Sequence, residues 1–60
     1  MSVAALPERL LRIDEAARLL GVSSKTIRRW IKADGLPAHR LGPRSARIDE
    51  AELRAWVEAR

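Results

Sequence analysis

The 60-residue chain has no cysteine, no tyrosine and no phenylalanine, a single histidine (His39), and no apolar run longer than residues 3–6. Without cysteine there is neither a disulfide staple nor a thiolate metal site, and one histidine cannot supply a zinc finger. The missing Tyr and Phe argue against an RNA-binding sheet that stacks bases on aromatic rings. The longest apolar run is far short of the roughly 20 residues that cross a bilayer. No basic stretch precedes it, as one would in a signal peptide, so the expected compartment is a reducing cytoplasm. A chain this short buries only about 60% of its unfolded surface, which leaves little room for a deep catalytic pocket. His39 has no evident partner for acid–base work. The pairs Asp14-Glu15 and Asp49-Glu50 suit helix starts, where the dipole favours acids. No enzymatic activity, cofactor, metal, membrane or small-molecule ligand is expected.

What the chain does have is positive charge, and it is segregated. The formal net charge is +4. Residues 21–47 hold seven Lys or Arg against one acid, Asp34, a local balance of +6; the remaining residues balance to −2. A basic stretch confined to one part of a small domain is the footprint of a nucleic-acid surface.

The apolar spacing predicts a mainly α, small winged helix-turn-helix: helix, turn, helix, two-stranded hairpin wing, C-terminal helix. Residues 1–10 read as a flexible leader punctuated by Pro7, and residues 11–60 as the single DNA-binding domain. Leu11 and Ile13 alternate around Arg12 as a short strand or extended lead-in. Asp14 is the predicted N-cap of a first helix over residues 15–20, with Ala16, Ala17 and Leu20 inward and Gly21 ending it in the left-handed region. Ser23 is the predicted cap of a second helix over 24–33, whose Ile27, Trp30 and Ile31 form one buried stripe. Gly35 and Pro37 stop it. Residues 38–41 and 46–48 read as strands around a turn at 42–45, with Leu41 and Ile48 inward. Asp49 and Glu52 have the spacing of a capping box for a last helix from residue 50 to about 59, with Leu53, Trp56 and Val57 inward. Both Trp residues are expected in the core, and His39 as a half-buried packing residue.

At 100° per residue, Lys25, Arg28, Arg29 and Lys32 share an arc of roughly 100° opposite the apolar stripe, spread over about 10 Å of axis. That length suits a major groove about 12 Å wide. Arg can take guanine with two hydrogen bonds, whereas Lys serves as a point charge beside phosphate. Ser24 and Thr26 lie near the helix start, where hydroxyls and free amides suit a phosphate or a base edge. An ordinary solvated face mixes charge signs, and this one contains no acid. In the hairpin, strand alternation is expected to send Arg40 and Arg47 outward together, with Arg44 and Ser45 at the tip near a minor groove or flanking phosphate. The alternative for these arginines is protection of a sheet edge.

Residues 14–23 (Asp-Glu-Ala-Ala-Arg-Leu-Leu-Gly-Val-Ser), 26–31 (Thr-Ile-Arg-Arg-Trp-Ile), 35–38 (Gly-Leu-Pro-Ala) and Leu53 with Trp56 make the chain resemble the excisionase-type DNA-binding domains of the MerR superfamily. The resemblance covers residues 11 to about 57. It implies a second helix in the major groove and a wing reaching the neighbouring minor groove or backbone. It also implies an architectural role: copies bound side by side, bending DNA and steering an integrase toward excision. Similar domains act as transcription regulators. Arg12 stands where such domains often carry Thr or Ser. The wing has no aromatic after its basic residues, which points to a phosphate contact. A basic module that docks an acidic protein is the alternative from another functional class.

Overall fold

The computed structural model describes residues 9–60. Leucine pairs with a partner strand before the first helix begins: β1 is Leu10–Leu11. Leu10 lies opposite Asp49 and Leu11 opposite Ile48, while the Arg9 carbonyl accepts from the Glu50 amide at 3.0 Å. Arg9 and Leu10 therefore join the sheet edge instead of belonging to a flexible leader; residues 1–8 of that leader lie outside the described residues.

Helix α1 spans Ile13–Leu20 and starts two residues earlier than predicted. Asp14 is not its cap. The N-cap is Arg12, in an extended conformation, and the Glu15 carboxylate accepts from its backbone N–H at 2.8 Å. That reach-back from the third helical position, together with the half-buried Ile13 packing on the core, sets the boundary; Asp14 simply lies in the first turn. At the other end, Gly21 is left-handed (φ 71°), the Val22 amide returns to the Ala17 carbonyl at 2.9 Å and the Gly21 amide to Arg18 at 3.3 Å. This is a Schellman closure.

Three residues later α2, Ser24–Ala33, begins on the predicted cap: the Thr26 amide donates to Ser23 Oγ at 3.1 Å. It ends before Gly35 (φ 79°), and the Leu36 amide bonds back to the Trp30 carbonyl at 3.2 Å. That return drives Leu36 into the core at 3% exposure, a core position the sequence pattern did not single out. Strand β2 is His39–Arg40, β3 is Ala46–Asp49, and α3 is Glu50–Glu58. The antiparallel sheet has the order β1-β3-β2.

One buried core collects Leu11 of β1, Ala16 and Ala17 of α1, Ile27 of α2, Leu36, Ile48 of β3 and Leu53 of α3. The small Ala pair lets α1 and α2 approach closely. Three expectations are corrected at its margin. Trp30 and Trp56 are half-buried, their rings tilted together at 5.3 Å between centroids, with the Arg60 guanidinium 4.3 Å from the Trp56 ring. An indole is too large for so small a core to enclose, so the pair forms its edge. Val57 is 38% exposed and opens, with Leu19, onto a shallow groove between α1 and α3. Leu41 is 61% exposed, for a reason that lies in the hairpin register below.

Candidate nucleic-acid interface

Helix α2 presents two chemically distinct sides. Ile27 is fully buried and Trp30 and Ile31 are half-buried, while Lys25, Arg28, Arg29 and Lys32 are all exposed. Asp34, the lone acid of this stretch, sits past the last turn at the C-cap. Among the described residues, the one ion pair within 4.0 Å joins Arg9 with Glu50, and His39 shares a hydrogen bond with Glu52. None of the α2 cations is paired with a carboxylate of the described residues. Ser24 and Thr26 are half-buried, and the Thr26 hydroxyl lies 3.0 Å from Ser23 Oγ, so it takes part in the cap.

In the hairpin, His39 pairs with Arg47 and Arg40 with Ala46. The Leu41 amide donates to the Ser45 carbonyl at 2.8 Å, and Ser45 back to Gly42 at 3.3 Å. Ser45 thus belongs to the ladder, and the loop is three residues, not the four read from sequence. Moving the register by one residue flips every side chain to the other face of its strand. Arg40 therefore shares the Ala46 face, Arg47 shares the His39 face, and Leu41 turns to solvent; the expected pairing of Arg40 and Arg47 on one face does not occur. Arg44 is exposed at the tip and Ser45 is half-buried. Arg47 is half-buried, and its Nη1 donates to the Ala46 carbonyl at 3.1 Å.

Long side chains reunite what the register separates. Between α2 and the hairpin lies an open cleft of about 890 Å³. Arg28 and Lys32 line it from α2; Arg40, Arg44 and Arg47 line it from the hairpin. Ile13, Ile31 and Ala46 supply apolar surface, and Asp14 the one carboxylate. A sixth cation lines it too: Arg12, exposed at the start of α1. The sequence signal that marks Arg12 is a donor-only side chain at a capping position. Lys25 and Arg29 stay on the open side of α2, outside the cleft.

A capped helix, a glycine-closed turn, a second helix with a charged outer side, and a short hairpin compose the fold. Residues 10–60 match the helix-turn-helix domain family. The chain belongs to that family. This helix-turn-helix domain is 44% identical over 52 residues to a protein named excisionase from Mycobacterium phage D29, an alignment covering 87% of the chain and 91% of that relative. It is 48% identical over 51 residues to the transcriptional repressor DcmR of Methylorubrum extorquens, covering 83% of the chain but only 19% of the repressor. The domain thus spans nearly the full length of the first relative and a small part of the second.

Proposed function

We propose that the protein binds double-stranded DNA sequence-specifically as an excisionase, a recombination directionality factor that bends DNA and assists an integrase in excision. The observation that carries this is the convergence of Arg28, Lys32, Arg40, Arg44 and Arg47 from two elements onto one cleft, with no carboxylate within 4.0 Å of any of them among the described residues. In this reading α2 enters the major groove, Arg28 and Arg29 read base edges, and Lys25 and Lys32 meet phosphates. Ser24 and Thr26 lie at the helix start beside the backbone. Arg44, Arg40, Arg47 and Ser45 meet the strand flanking the minor groove. The protein performs no catalysis of its own in this reading.

Near-complete coverage of the excisionase relative supports that role within the family; the motif resemblance supports placing the domain in the MerR superfamily. A single module buries only about 600–1,000 Å² on DNA, so neighbouring copies and an integrase are the proposed partners. The proposed location is the cytoplasmic nucleoid. No helix of the described residues is long and apolar enough to cross a membrane.

The identity with DcmR favours a second reading, transcription regulation through the same surface. Selection of a preferred site, followed by gel shifts against that site, a scrambled duplex and heparin, tests DNA binding itself. Preference for the selected site supports it. Equal competition by heparin and every duplex leaves generic electrostatics and favours a basic module for an acidic protein. An excision assay with an integrase encoded beside this chain, if its neighbouring gene is one, set beside a promoter reporter, then separates the two DNA-binding roles.

A further inference from the structure

Arg12 caps nothing. A guanidinium carries donors only, so at the N-cap of α1 it offers the first-turn amides no acceptor, and no side-chain cap bond is made. Its local structural role is carried by its backbone N–H, held by Glu15 at 2.8 Å. The side chain is exposed, without a carboxylate within 4.0 Å among the described residues, and opens onto the cleft that Arg28 and Lys32 share with Arg40, Arg44 and Arg47. Six cations from three separate elements face one carboxylate, Asp14, in that space.

The sugar–phosphate strand bordering two adjacent grooves must run between the elements that occupy or flank them. With α2 in a major groove and the hairpin at the next minor groove, that strand passes through the cleft. We propose that the cleft is a channel for one phosphodiester strand and that Arg12 is a phosphate-contacting residue within it. The inference rests on the duplex-binding reading above and adds a third element, the start of α1, to the interface. The planar fork of Arg suits two oxygens of one phosphate, which a lysine ammonium meets only as a point charge.

The test uses two substitutions in the full chain, Arg12→Ser and Arg12→Lys, with affinities measured on selected and scrambled duplexes between 50 and 200 mM salt. Arg12→Ser supplies the missing cap acceptor, so it is expected to melt at a higher temperature than the unchanged protein. It is expected to bind both duplexes more weakly by the same factor, with the salt slope reduced by about 0.9. Over that salt range, the fold-loss of affinity shrinks by about 3-fold. Stability and affinity moving in opposite directions cannot come from unfolding. Arg12→Lys is expected to keep the slope while losing part of the affinity. Arg12→Ser with the unchanged protein's affinity and slope overturns the proposal, while site preference retained by the unchanged protein leaves the duplex-binding reading standing. Failure of the unchanged protein to bind any duplex overturns both.

Discussion

His39 Nε2 lies 2.9 Å from Glu52 Oε1, a link from the outer strand of the hairpin to the first turn of α3. The capping spacing of Asp49 and Glu52 is thereby only half used. The Glu52 amide donates to Asp49 Oδ2 at 3.0 Å, but the Glu52 carboxylate goes to His39 instead of back to the helix start. Strand β2 has only two residues, so this side-chain bond adds a second tether to a hairpin otherwise held by its short ladder to β3.

Both partners are partly exposed, at 38% and 43% of their side chains, so the bond is worth little beyond an ordinary hydrogen bond. His39→Ala is expected to cost about 0.5–1 kcal/mol in a denaturant titration. DNA affinity should fall slightly with an unchanged salt slope, because no phosphate contact is removed. A slope change would contradict the tethering role.

Arg28 and Arg44 line the same cleft from different elements, and their substitutions should be distinguishable. Arg28→Ala is expected to cost about 1–3 kcal/mol on the preferred site and to relax preference at one base pair. Arg44→Ala should weaken preferred and scrambled duplexes equally and lower the salt slope by about 0.9. Binding isotherms on a panel of single-base variants decide this. An Arg28→Ala, Arg29→Ala double variant with unchanged affinity would reject the groove role of α2.

Gly21 adopts φ 71° with nothing within 4 Å of where a Cβ would sit. Gly21→Ala therefore meets no clash, only the left-handed backbone penalty of about 1–2 kcal/mol. Thermal melting should register that loss. A neutral result would mean the turn adopts another conformation in solution.

Trp56 packs on the core and on Trp30 but stays half-buried. Truncating a fully enclosed aromatic costs about 3–5 kcal/mol, so about 2–3 kcal/mol is expected for Trp56→Ala. Trp30 emission should shift as its ring neighbour disappears. A loss under about 1 kcal/mol would place the pair outside the cooperative core.

Local chemistry was legible in the residues themselves. Ser23 as a cap, Gly21 as a left-handed stop, Gly35 as the end of α2, and the charged and apolar sides of α2 each depend on neighbours within a few positions, and they occur as the spacing predicts. The order of helix, turn, helix, hairpin and helix follows from those same signals. Three outcomes were settled by which groups pair or pack together rather than by spacing. Ser45 joined the ladder and reversed the facing of Arg40, because the length of a turn is settled by which hydrogen bonds close it. Glu52 chose His39, a partner thirteen positions away, over the local cap. Arg12, an odd residue at a helix start in the sequence, became part of a six-cation cleft only when α2 and the hairpin came together beside the start of α1. Short-range hydrogen bonds set where each element begins and ends; the packing of elements against one another decides which charges end up sharing a space.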